Sequence, residues 1–345
     1  MMKAPTQFTS IGGQAVIEGV MMRSPHFVAV AVRKPNRQIL IKNKPYSGIS
    51  SRFPILRKPL LRGVVTLIES LSIGTDALSY AAQVAAIEEG QEAEEVSSWA
   101  MALSLLFAFI FGMGLFVALP HFLTALLTSK VQSGVTIQSP IFHLIDGALK
   151  MIILLSYVYL ISLMKDIRRV FQYHGAEHKS IYTFEAGEAL TVENARRHTT
   201  LHPRCGTSFL LFLVLISILF FSVVFPILGL STFSTIPFVN HLLMILLKIV
   251  FMFPVAGLSY EFIKISAAHM NHPFFKAVMW PGMLLQKLTT REPTDEQLEV
   301  ALASLQQVLL AEKAINQGVA ISEIEISGLV DLGSIQASVA EFPEI

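Results

Sequence analysis

The sequence predicts a mainly α-helical, polytopic membrane protein with four transmembrane helices, an N-terminal β-hairpin region and cytoplasmic amphipathic helices. Three observations carry that expectation. Hydrophobic residues make up 53% of the 345 and charged residues only 15%, against about a quarter in soluble chains. Mean hydropathy is +0.58. Several uncharged runs are long enough to cross the roughly 30 Å hydrocarbon core of a bilayer. The net charge of +1 and the lack of a basic tail argue against nucleic acid as a partner. One cysteine, Cys205, excludes an intrachain disulfide, so nothing requires an oxidising compartment.

Residues 1–98 read as a cytoplasmic or interfacial N-terminal region. Gly12 and Gly13 mark a tight turn or a close backbone approach. Their surroundings have the spacing of neither a dinucleotide fingerprint nor a P-loop. Val28, Val30 and Val32 alternate, Lys34-Pro35-Asn36-Arg37 turns the chain, and Ile39 and Ile41 resume, which is a hairpin pattern. Glu18 and Arg23 read as a solvated pair on the rim of that sheet, with a site role as the alternative. From Pro59 to Ala86 the period becomes helical, with Leu60, Leu61, Val64, Leu67, Ile68 and Leu71 on one side. Arg52, Arg57, Lys58 and Arg62 lead into it, which favours an interfacial helix on an anionic leaflet over a helix packed on the hairpin. Glu88 to Glu95 forms an acidic linker.

Residues 99–264 hold the membrane domain. The spans are expected at Trp99–Leu119, about Pro140–Met164, Thr207–Leu230 and Phe238–Tyr260, with Pro226, Gly229 and Pro237 dividing the last two. The loop between spans two and three carries Lys165, Arg168, Arg169, Lys179, Arg196, Arg197 and Arg204, and the other loops carry almost no charge. The positive-inside rule puts this loop and both termini in the cytoplasm of a plasma membrane. Two charges fall inside the spans. Lys248 sits roughly 15 Å into span four at 1.5 Å per residue, and Asp146 roughly 9 Å into span two from the same side. A pair between them would fix the register of the two helices. The competing reading pairs Asp146 with Lys150 at i+4 and lets Lys248 snorkel.

Residues 265–345 follow. Phe274–Leu285 is apolar but too short to cross, and reads as interfacial or re-entrant. Thr294 and Gln297 form a capping box ahead of a stripe of Leu298, Leu302, Leu305 and Leu309. The tail from Ala314 reads as loosely ordered.

The chemistry concentrates between Tyr173 and Gly206, which holds four of the ten histidines and Cys205. His174-Gly175-Ala176-Glu177-His178 reads H-x-x-E-H. On a helix His174 and His178 share a face and can offer two imidazoles to one metal ion, with Glu177 as general base. Gly175 between them costs about 1 kcal/mol of helix stability relative to Ala, which makes sense if something packs on the backbone there. His202 and Cys205 supply further donors, and Cys205 lies where span three begins, beside Arg204. Glu193 or Glu261 could complete a three-ligand site, with Glu261 preferred by analogy to the inverzincin order. Arg197 and Arg204 suit an anionic substrate.

The segments GGQAVIEGVMMR, LISLMKDIRRVFQYHGAEHKSI, LTVENAR, HPRCGTSFL and LTTREP together resemble the YqhQ-like family. This is a bacterial membrane family of unknown function, described as predicted metal-dependent enzymes. The resemblance runs from about Gly12 to Leu310. It places His174, Glu177, His178, His202 and Cys205 in matching motifs and implies no particular reaction. Two functions follow. One is a hydrolase-like enzyme using a divalent metal such as zinc at the cytoplasmic membrane face, acting on lipid head groups or membrane-protein segments. The other is a non-enzymatic scaffold or transport component with a structural His/Cys metal site or none.

Overall fold

A computed structural model describes residues 11–86, 98–130, 135–137, 139–228, 236–316 and 328–330. The expected acidic linker, the first ten residues and nearly all of the tail lie outside them. The chain opens with an antiparallel meander rather than a lone hairpin: β1 (Gly12–Val16), β2 (Gly19–Arg23), β3 (Phe27–Arg33) and β4 (Ile39–Pro45). A three-residue strand, β5 (Gly328–Val330), pairs with β4. Val30 stands opposite Met21 on one side and Lys42 on the other. The tight link between β1 and β2 puts Glu18 at a φ of 52°.

Both faces of β3 are covered, which explains why all seven of its residues are buried. Val28, Val30 and Val32 pack on Ala77, Ala81 and Val84 of the long helix α2 (Leu61–Ala86), which follows a short helix α1 (Ile49–Arg52) and one 3-10 turn. Ala29 and Ala31 face the other way, onto Tyr173, Ala176, Leu298, Leu302 and Leu305. Small residues on this second face admit two helices closely. The C-terminal half of α2 therefore packs on the sheet, as the less favoured reading had it. Its N-terminal half meets the fourth membrane helix, where a Cβ on Gly63 would lie 2.7 Å from Tyr260. Ile68, Leu71 and Leu78 remain exposed on its outer side. Glu18 and Arg23 do not pair. Arg23 bonds Tyr46 and Glu69, and Glu18 takes Arg169 and the Tyr173 hydroxyl.

Four helices are long and apolar enough to span a bilayer: Ala102–Lys130, Pro140–Ser162, Gly206–Ile227 and Pro237–Ala268. The first runs well past Leu119. Its helix α3 (Ser98–Met113) passes through a π-helical turn at Gly114–Ala118 into α4 (Leu119–Lys130), and the wider turn lets Pro120, which has no N–H to donate, follow without ending the helix. The other three are α5 (Pro140–Ser162), α8 (Gly206–Leu228) and α9 (Pro237–Ala268), the last passing through Pro254. Between α5 and α8 lie α6 (Lys165–Glu185) and α7 (Val192–Arg197). After α9 come α10 (Pro273–Thr289) and α11 (Asp295–Asn316). The capping box forms: the Thr294 amide donates to Gln297 Oε1 at 2.9 Å, and the Gln297 amide to Thr294 Oγ1 at 3.4 Å.

The Asp146–Lys248 pair is present, with Lys248 Nζ 2.8 Å from Asp146 Oδ2. Lys150 Nζ lies 3.7 Å from the same oxygen, so both expected partners share one carboxylate.

Candidate metal centre

Helix α6 carries the site because its two sides do different work. Tyr173, Ala176 and Ile181 enter the core under the sheet, while His174 and His178 turn towards the loop before α8 and the strand-like segment after α10. Gly175 is the point of closest approach. A Cβ there would fall 2.1 Å from the Arg291 carbonyl oxygen, and the Arg291 amide donates to the Phe171 carbonyl at 2.9 Å. The backbone of residues 289–291 thus lies directly on α6.

That contact orients the first histidine. His174 Nδ1 lies 2.8 Å from the Thr289 carbonyl oxygen, and His178 Nδ1 lies 2.5 Å from that of Thr200. A carbonyl only accepts, so each Nδ1 carries the proton and each Nε2 keeps its lone pair. The rings are 4.5 Å apart between centroids. Cys205 stands at the head of α8, its Sγ 3.2 Å from His174 Nε2 and 3.4 Å from the Thr207 amide. One nitrogen of each imidazole and Sγ lie within 4.8 Å of one another. A tetrahedral zinc ion, with bonds of about 2.0–2.3 Å, holds its donors roughly 3.3–3.8 Å apart. Small side-chain adjustments reach that geometry.

The surroundings fit a bound cation. His178 Nε2 and Glu177 Oε2 are both buried with no hydrogen-bond partner. Leaving such groups unpaired costs about 1–3 kcal/mol each, so the site is arranged for something that the protein alone does not supply. Burial holds His178 below the ordinary imidazole range, although Cys205 beside it acts in the other direction. Its neutral form is the one that ligates. Burial also pushes the Glu177 carboxyl up, against the pull of His174, His202 and the Ala15 amide. Strand β1 lies over that carboxylate so closely that a Cβ on Gly13 would come within 2.8 Å of Oε1.

His202 borders the group without joining it. Its ring centroid is 5.6 Å from that of His178, its Nε2 faces Glu185 at 3.4 Å, and burial lowers its pKa to about 4. Arg204 is paired with Glu185. Arg197 pairs with Glu193 on an exposed face, and His198 with Glu188. Glu261 does not approach the cluster. Its carboxylate is held at the head of α2 by Arg62 and the Leu60 amide, and among the described residues the side chain that groups with the two imidazoles is Cys205. Thr200, Thr289 and Gln286 complete the surroundings and were not read from the sequence. Gln286 is followed at once by Lys287, Thr289, Thr290 and Arg291, so nothing in the sequence sets it apart. The two threonines act through backbone carbonyls, which leave no side-chain signature.

The segments that carried the resemblance meet here. GGQAV covers Glu177, HPRC supplies His202 and Cys205, and LTTREP lies on α6, where Lys179 also pairs with Glu292. A family model described as "Protein of unknown function (DUF1385)" matches residues 58–311. The chain belongs to that family. It is also 34% identical over 317 residues to the "Uncharacterized protein YqhQ" of Bacillus subtilis (strain 168), covering 89% of this chain and 94% of that protein. No solved structure matches.

Proposed function

We propose that this member of the family is a metal-dependent, hydrolase-like enzyme at the cytoplasmic face of the plasma membrane. His174, His178 and Cys205 would hold one divalent ion. The mixed imidazole and thiolate set suits zinc better than magnesium or calcium. One observation supports this above others: two histidines have their Nδ1 atoms fixed on carbonyls, which leaves both Nε2 lone pairs free, and one ligand atom of each lies within 4.8 Å of a single thiol. Among the described residues no fourth donor joins the group, as expected of a catalytic rather than a closed structural site. That count disfavours a scaffold with a four-ligand staple.

Such an ion supplies Lewis acidity and makes water a nucleophile near neutral pH. The chain's own groups do the rest. Glu177, with Oε2 unpaired and its carboxyl raised by burial, would take and return a proton as general base. Strand β1 and the buried face of α6 keep bulk water from it. Arg204, paired with Glu185, and Arg197 further out on α7 would offer cations to an anionic substrate. The site follows directly on α5 and precedes α8, so it lies at head-group level. An anionic phospholipid or a membrane-protein segment is the natural substrate. The cytoplasmic placement rests on the cations between α5 and α8, and reporter fusions should put about Ser234 outside and residues after Leu310 inside.

The test is elemental analysis of the full chain in mild detergent. Wild type should retain close to one equivalent of zinc, and His174→Ala/His178→Ala and Cys205→Ser should lose it. Glu177→Gln should keep the metal but lose turnover of anionic phospholipid vesicles. No stoichiometric metal in wild type, or metal that survives the double histidine change, would sink the proposal.

A further inference from the structure

The half of the bundle remote from the His/Cys cluster buries a second set of ionisable groups. Helix α4 contributes His121, α5 contributes His143, Asp146 and Lys150, and α9 contributes Lys248, all buried. His241, near the start of α9, is half-buried. Phe221 and Phe225 of α8 set their rings beside Lys150 and His143, and Phe142 of α5 sets its ring beside Lys248.

These groups form a continuous chain. His241 Nδ1 lies 3.0 Å from His121 Nε2, and His121 Nδ1 lies 3.2 Å from Lys248 Nζ. Lys248 Nζ donates to Asp146 Oδ2 at 2.8 Å, and Lys150 Nζ stands 3.7 Å from the same atom. Asp146 Oδ1 and both ring nitrogens of His143 are buried with no partner. One Asp–Lys pair would suffice to fix helix register. Three imidazoles and a second lysine exceed that need, in a medium where each polar group is costly.

The charge count suggests the use. One carboxylate neutralises one ammonium, so the triad has two states that differ by a single proton on Lys248, with net charges of zero and plus one. An imidazole that gains a proton at one nitrogen and loses one at the other passes protons without moving. Beyond Lys150, towards the cluster, Leu154, Val158, Leu211 and Leu285 pack together as an apolar layer. The chain therefore opens towards one membrane face and stops within the bundle.

We propose that these residues form a proton-uptake site, reached from the membrane face opposite the His/Cys cluster through His241 and His121 and ending on Lys248 beside Asp146. In a transfer His241 takes a proton from bulk water at its outer nitrogen, Nε2, and passes its Nδ1 proton to His121 Nε2. The imidazolium so formed gives its Nδ1 proton to the neutral Lys248 amine, so one proton enters and one reaches Lys248. The unpaired Asp146 Oδ1 and His143 nitrogens suit a buried water that can donate and accept between them.

The test uses the full chain in nanodiscs and infrared difference spectroscopy. Between pH 5 and pH 9, wild type should show a shift in an aspartate carboxylate band as its neighbour gains or loses one proton. Lys248→Met should abolish that shift, which assigns the band whether or not an Asp146 variant folds. His241→Gln, at the half-exposed opening, should keep the amplitude. After a rapid pH jump its response should slow roughly a hundredfold, the low end for a positioned proton-transfer group. A merely structural network would not show that split between amplitude and rate. A wild-type band indifferent to pH, a shift that persists in Lys248→Met, or a wild-type rate in His241→Gln would overturn the relay.

Discussion

Gln286 holds His202 by both of its backbone groups. Its Oε1 accepts the His202 amide at 2.7 Å, and its Nε2 donates to the His202 carbonyl at 2.7 Å and to Ser208 Oγ at 2.8 Å. The residue is fully buried, so this one side chain ties the loop before α8 to α10. Gln286→Leu should leave a buried amide and carbonyl unpaired. That costs about 1–3 kcal/mol for each group, so a loss on the order of 3 kcal/mol is expected. Unfolding in detergent should show the loss, and metal retention should fall with it because Cys205 hangs from the same loop. A Leu variant as stable as wild type would mean that water replaces the amide.

Gly175→Ala sets helix propensity against contact. Alanine gains about 1 kcal/mol in a helix interior. Its Cβ would fall 2.1 Å from the Arg291 carbonyl oxygen, backbone that cannot swing aside as a side chain does. Overpacking typically costs about 1–3 kcal/mol, more in severe cases, and this contact is severe. The expected result is net destabilisation, with weakened zinc retention as the Thr289 carbonyl is pushed off His174 Nδ1. A stabilised variant that keeps its metal would show that the segment can move away freely.

The two sites were legible in the sequence to different depths. The H-x-x-E-H spacing located His174 and His178 because an i, i+4 relation survives any tertiary arrangement. Cys205 was recognisable as a donor by type. Glu261 was not separable from it, since sequence distance does not reveal that Arg62 claims that carboxylate. The spans were legible because apolar length is a local property. The end of the first was misplaced because a π-turn ahead of Pro120 is not. Strands β1 and β2 escaped notice for a related reason. Their glycines and methionines show no period of two, and they are fixed by the helices that cover both faces of the sheet.

Glu312 ties α11 to the sheet and makes part of that attachment dependent on pH. Its Oε1 accepts from Ser24 Oγ at 2.7 Å and the His26 amide at 2.8 Å, and its Oε2 faces His26 Nδ1 at 3.0 Å. Burial alone would raise the carboxyl, but the bonds from Ser24 and His26 outweigh it and hold it below its ordinary 4.5. A carboxylate lowered on folding stabilises fully above its unfolded value, and that contribution disappears as pH falls through the folded value. Wild type should therefore melt above Glu312→Gln at pH 6, and the gap should close steadily below about pH 4.5. A gap that is constant from pH 6 to pH 3 would leave Glu312 without this role.

The shared carboxylate in the bundle predicts an asymmetry. Lys248→Met removes one ammonium and leaves Asp146 with Lys150, already 3.7 Å away, as counter-charge. Asp146→Asn removes the only carboxylate among the described residues of this cluster and strands two ammonium groups. Breaking a buried pair by deleting one partner costs about 3–5 kcal/mol, because the other charge stays behind uncompensated. The aspartate change should fall in that range and the lysine change well below it. Because the two side chains touch, the double variant Asp146→Asn/Lys248→Met should cost less than the sum of the singles. Stabilities measured in detergent or bicelles by denaturant titration test both statements. Equal single costs would mean that Lys150 is no substitute partner, and a strictly additive double variant would mean that Asp146 and Lys248 do not stabilise each other.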